Sequence, residues 1–200
     1  NGKKQDFTKF PEGVTKIRVV DDVPTVRWTH WLQKHNRSAN CPGKGCPICE
    51  IRKVQKANKR DYTYPMSRRF AIQVINRNTG KLEILEQGVT FFEDLKDLRA
   101  ILAEDNLKLT DVDISVRRRG KDTNTTYRLD RAEEYPYTEE DNKLIEGKIN
   151  LDEYFVPHTP EQLTRVINGE EWDKVMYPDE TIEEDRSEEH TSELQSPGLI

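Results

Sequence analysis

Cys41-Pro42-Gly43-Lys44-Gly45-Cys46-Pro47-Ile48-Cys49 gathers three thiols into nine residues, a CxxC knuckle with a further cysteine upstream. The Gly and Pro turns let the thiolates converge on one ion. An odd number of cysteines cannot all pair as disulfides, so a reducing compartment and metal ligation are expected. Zinc takes four N or S ligands in structural sites, and a histidine would complete a Cys3His set. His30 and His35 are both within reach along the chain. His30 is preferred, because it opens one arm of an expected hairpin whose other arm delivers Cys41, whereas His35 falls near the turn. Four closed ligands leave no position for a catalytic water, so one structural zinc ion is expected. A redox CxxC would follow a strand and open a helix in a thioredoxin-like unit. That reading leaves Cys41 and the Gly-Pro turns unexplained.

A second chemistry follows directly. Arg52, Lys53, Lys56, Lys59 and Arg60 run into Tyr62, Tyr64, Arg68, Arg69 and Phe70, and the mixture returns in Arg117, Arg118, Arg119, Lys121, Tyr127 and Arg128. Cations neutralise phosphates while flat rings stack on unpaired bases. Phe70 is read as core. The remaining residues, with Arg27 and Trp31 on one face of an earlier strand, are expected to line one nucleic-acid groove. Charge agrees with this division of labour. Residues 1–130 hold 26 Lys and Arg against 17 Asp and Glu, a balance of +9, and residues 131–200 hold 6 against 20, a balance of -14. A basic body with an acidic tail is what a polyanion-binding protein presents.

Catalysis finds no support. No Gly-rich phosphate loop is present, because Gly43 and Gly45 lie between thiols with no Gly-Lys-Ser/Thr after them. His158 sits between prolines, and the carboxylates gather in the tail rather than around a histidine or cysteine. No apolar run approaches the roughly 20 residues of a membrane span.

The elements that must position these residues are mostly strands. Ile17–Val20 and Thr25–Leu32 alternate with period two, placing Val26, Trp28, His30 and Leu32 on one face and Arg27, Thr29 and Trp31 on the other. Phe70–Ile75 and Lys81–Leu85 form a hairpin about Asn78-Thr79-Gly80. Thr90 with Glu93 reads as a capping pair opening a helix that buries Leu95, Leu98, Ile101 and Leu102. Asp113–Arg119 and Thr125–Leu129 supply two more strands that close a small barrel. A short helix spans Ile51–Arg60. Short helices follow Tyr135, with Thr138 and Asp141 as one cap and Thr159-Pro160-Glu161-Gln162 as another helix start, Gly169 ending the last. The expected organisation is a flexible segment 1–13, a binding domain 14–130 with its zinc subdomain at about 30–60, a helical extension 131–169 and an acidic flexible tail 170–185. The run Arg186 to Ser196 reads as the translation of a sequencing-library adapter, so residues 186–200 are expected to be an assembly artefact ending the natural chain near Asp185.

Arg27-Trp28-Thr29-His30-Trp31, the cysteine knuckle, Arg69-Phe70-Ala71, Arg118-Arg119-Gly120 and Thr126-Tyr127 together resemble the zinc-containing, helix-destabilising single-stranded DNA-binding proteins of tailed bacteriophages. The resemblance covers roughly residues 14–130. It implies a mainly β, α+β protein: an OB-like barrel with an inserted zinc subdomain, then short helices and an acidic tail. It implies sequence-tolerant binding of single-stranded DNA in phage replication, recombination and repair, in the cytoplasm of the infected host. It implies contact of the acidic C-terminal region with replisome or recombination proteins, and self-association along DNA. The chain departs from the best-known members in its shorter spacing between the first two cysteines and a histidine lying nearer to them, so His35 stands as an alternative to His30. The rival reading is a zinc-ribbon adaptor that binds duplex DNA or protein in a replication or transcription complex. It lacks a recognition helix with base-reading residues.

Overall fold

The computed structural model describes residues 5–121, 124–134 and 136–178. The run 186–200 and the acidic stretch beyond 178 lie outside these residues. Seven strands form one antiparallel sheet: β1 (Gly13–Val19), β2 (Thr25–Leu32), β3 (Arg37–Asn40), β4 (Met66–Asn76), β5 (Lys81–Gln87), β6 (Val112–Arg119) and β7 (Thr126–Glu134). The helices are α1 (Pro47–Ala57), α2 (Val89–Glu104), α3 (Glu139–Glu146), α4 (Leu151–Tyr154), α5 (Pro160–Ile167) and α6 (Trp172–Met176).

The long β4 is the spine. Phe70 and Ala71 pair with β2 on one edge and with β5 on the other, while Val74–Asn76 pair with β1 and β5. Strands β1 and β2 therefore run in succession along the same edge of β4, and residues 20–24 form the break between them. The other edge of β1 takes β6, which takes β7, and the other edge of β2 takes β3.

The expected barrel does not close. Among the described residues no ladder joins β5 to β7, and the order runs open from β3 to β7. Two features occupy the closing edges. Phe7 bridges Ile84 on β5, with Thr8 N donating to Ile84 O at 2.9 Å. Helix α2 lies against β7, where Phe91 meets Tyr127 edge-on at 5.5 Å.

Helix α2 covers one face of the sheet, called here the α2 face. Phe91, Phe92, Leu95, Leu98 and Leu102 recur at helical spacing and pack on Ile17, Val19, Ile72, Val74, Leu85, Ile114 and Val116. Each such side chain removed from water contributes about 1.5–3 kcal/mol. Ile101, expected in this set, points out and is 61% exposed. Thr90 does not cap the helix. It lies inside the first turn, and Gly88 holds the N-cap position without a side-chain bond.

The opposite face is covered by the chain's own C-terminal extension. Arg18 Nε donates to Asp113 at 2.7 Å, Arg77 bridges Asp113 and Asp141, and Tyr137 Oη donates to Val19 O. Gln73 exchanges two 2.9 Å hydrogen bonds with the backbone of Ile149, and Leu151 and Phe155 close over Ala71 and Ile84. Helices α5 and α6 then dock Leu163, Val166 and Val175 on Leu32, Ala39 and Ile48 of the cysteine-bearing module. Two readings of the ends are corrected here. Segment 5–13 is pinned, with Phe10 buried against Phe91. The expected tail begins too early at 170, because Trp172, Val175 and Met176 give α6 an apolar side that the module buries.

Candidate metal centre and nucleic-acid interface

The cysteine cluster is assembled by a hairpin and a helix start. β2 and β3 pair His30 with Ala39, and Cys41 N donates to Trp28 O at 2.8 Å just beyond the last rung. The chain then turns through Gly43 (φ +76°) and Gly45 (φ +77°), conformations that side-chain-bearing residues rarely adopt. Cys46 is the N-cap of α1, Pro47 is its first helical residue, and Cys49 follows one turn on. The free N–H groups and dipole at that helix start favour negative sulfur.

The donor atoms converge. His30 Nε2 lies 3.4 Å from Cys46 Sγ and 3.5 Å from Cys49 Sγ, Cys41 Sγ lies 3.6 Å from Cys49 Sγ, and all four lie within 4.8 Å of one another. A tetrahedral zinc site with ordinary bond lengths has S···S edges of about 3.8 Å and N···S edges of about 3.6 Å. The three short separations match that figure, so the residues fit the ion. Burial, then the charge of Arg52, pushes His30 down to about 4, which keeps the imidazole neutral and ready to ligate. Burial, then bonding among the thiols, pushes Cys49 up to about 12, and burial also raises Cys41. A cation would reverse both thiol shifts. His35 is placed elsewhere: its Nε2 sits 3.2 Å from Val166 O, where it fastens the end of α5.

The basic and aromatic residues do not line one groove. Strand periodicity divides them, because neighbours on a strand point to opposite faces. Arg27, Trp31, Arg69, Arg117, Arg119 and Arg128 lie on the face away from α2, whereas Arg68 and Tyr127 lie on the α2 face. Arg27 is engaged by the fold itself. Its Nη2 meets Glu86 at 2.5 Å, its guanidinium lies 4.1 Å over the Phe155 ring, and it donates to Asn40. Arg69 is half-buried near the same glutamate, and Arg128 pairs with Asp130 at 3.0 Å. Tyr127 belongs to the core, edge-on to Phe10 and Phe91. Tyr64 packs against the cysteine module.

On and after α1, Arg52 donates to Tyr64 O and lies 3.9 Å over the Tyr62 ring, and Lys53 pairs with Glu50. Lys56, Lys59 and Arg60 are exposed, as are Arg117, Arg119 and Lys121. Alternation along β2 puts Trp28 on the same face as His30. It does share that face, but α2 stops short of it, and Trp28 is 46% exposed with the Arg68 guanidinium 5.9 Å above its ring. No periodicity signal reveals where a covering helix ends.

Among the described residues no helix is long and apolar enough to cross a membrane. No family model and no solved structure matches the chain. The chain is 28% identical over 143 residues to a protein of Escherichia phage T5 described as "Probable ssDNA-binding protein", a match covering 62% of this chain and 54% of that one. It thus spans about half the length of the curated relative it matches. The chain is a distant homologue of that phage protein, and it carries a His30, Cys41, Cys46 and Cys49 cluster able to hold a metal ion such as zinc.

Proposed function

We propose that the protein binds single-stranded DNA with little regard to sequence and without catalysis, serving phage replication, recombination and repair. The observation that carries this reading is the distant homology to the phage T5 protein. The basic body, with exposed cations on α1 and at the β6–β7 turn beside exposed Tyr62, Trp28 and Trp31, supplies what such binding needs: phosphate neutralisation and stacking on unpaired bases. In this reading the strand connectivity is OB-like: β1 pairs with both β4 and β6, β4 makes a hairpin with β5, and α2 joins β5 to β6. The barrel is left open.

Zinc would be held by His30, Cys41, Cys46 and Cys49 and would supply folding energy rather than chemistry, since all four positions are filled by protein. The acidic C-terminal region is read as a contact for replication or recombination proteins.

The test is a titration of dye-labelled oligo-dT and of duplex of equal length at two salt concentrations, with and without prior metal chelation. Preferential binding of the single strand, weakening with salt and lost on chelation, is the expected outcome. Equal or stronger binding of duplex would move the reading to a zinc-ribbon adaptor.

A further inference from the structure

We propose that unpaired bases are taken up on the α2 face, at a strip formed by Trp28 and Arg68 that leads into a pocket between β4 and α2. The inference rests on the single-stranded DNA reading above and gives it a location. On the opposite face of β2, β4 and β5 the chain has already laid down Ile149, Leu151 and Phe155, and Arg27 is held by Glu86 and Phe155. A strand of DNA cannot use that surface without displacing folded protein.

The α2 face is open only at Val26, Trp28 and Arg68, between the part of β4 and β5 under α2 and the part of β2 that the cysteine module buries at His30 and Leu32. Val26 is 44% exposed and Trp28 46%, and the register sets Val26 opposite Phe70 and Trp28 opposite Arg68. Arg68 lies 4.9 Å over the Phe70 ring and 5.9 Å over Trp28, so its cation joins the two aromatics into one ledge. Phe70 continues the ledge into a pocket of about 300 Å³, where Phe92, Leu95, Leu109 and Pro24 give apolar walls and Lys96 and Arg99 outnumber the one carboxylate, Asp22. Lys96 and Arg99 are exposed. Flat apolar walls with cations at the edge match a splayed nucleobase whose phosphates stay in solvent. An apolar small molecule would have no use for the two cations, Lys96 and Arg99, that line this pocket.

The test compares wild type with Trp28→Ala, Trp28→Phe and the pair Lys96→Glu and Arg99→Glu by anisotropy of labelled oligo-dT. All these side chains are exposed, and circular dichroism with zinc content verifies folding. Trp28→Ala is expected to weaken binding about tenfold, and Trp28→Phe to restore most of the loss. The Lys96 and Arg99 pair is expected to weaken binding about tenfold or more and to flatten its salt dependence. On an abasic strand of equal length, wild type and Trp28→Ala should bind alike. The proposal is overturned if wild type binds oligo-dT while the Trp28 and α2 variants bind it equally well. If wild type itself shows no single-strand binding, the functional reading falls along with the location.

Discussion

At the scale of single residues, the cysteine cluster shows how burial and a metal oppose each other. Without a cation the Cys41 and Cys49 thiols are held protonated and His30 is held neutral. Zinc binding near neutral pH is therefore expected to release protons from the ligating thiols, Cys41 and Cys49 among them, and none from His30. Zinc affinity should climb as pH rises, because protons compete for the raised thiols. Calorimetry in buffers of different ionisation heats measures the proton count, and a histidine contribution would contradict the geometry. Cys46→Ser is expected to abolish stoichiometric zinc in the purified protein. His35→Ala should keep its zinc and lose only about 1 kcal/mol with the bond to Val166 O.

At the scale of elements, the C-terminal extension is joined to the sheet by charge at one end and to the metal module at the other. Asp141 is 2% exposed, accepts from Arg77, and forms a reciprocal cap with Thr138 at the start of α3. Burial alone would raise its pKa, but Arg77 and the Thr138 N–H outweigh this and hold the carboxyl below its usual range. A depressed folded value stabilises above the unfolded value of about 3.9 and is lost as pH falls through the folded one. Asp141→Asn is expected to cost about 3 kcal/mol at neutral pH. In urea melts that gap should persist down to about pH 4 and close below it. At the other end, α5 and α6 share their apolar contacts with α1 and β3. Chelation should loosen all four together. With Trp28 and Trp31 replaced by Phe, Trp172 on α6 is the remaining tryptophan of three, and its emission is expected to shift to the red on chelation. An unchanged spectrum would mean that α6 docks without the metal.

At the scale of the whole molecule, the separation of charge becomes a matter of coverage. The C-terminal extension lies across the basic body, where Asp141 pairs with Arg77 and Phe155 covers Arg27, while Arg18 and Arg27 are also taken up by Asp113 and Glu86 of the body itself. Of the cations counted from sequence, a smaller exposed set on α1, α2, β4 and the β6–β7 turn remains for phosphates. Oligo-dT affinity should fall with salt at a log–log slope of about -0.7 for each phosphate contacted. A slope near zero would remove phosphate neutralisation from the account.

The sequence alone determined what is local. The ligand types and turn chemistry of Cys41 to Cys49, the hairpin about Asn78-Thr79-Gly80, and the caps at Thr138 and Thr159 all depend on neighbours within a few residues, and each is found where it was read. Tertiary structure alone decided between His30 and His35 for the cluster, because that choice depends on which helix each histidine meets. It decided that the barrel stays open, since α2 and the Phe7 segment take its closing edges. It also decided which cations are free. Alternation along a strand assigns a residue to a face, but only the packed chain reveals that one face is covered by residues more than a hundred positions away, leaving Arg27 enclosed and Trp28 in solvent.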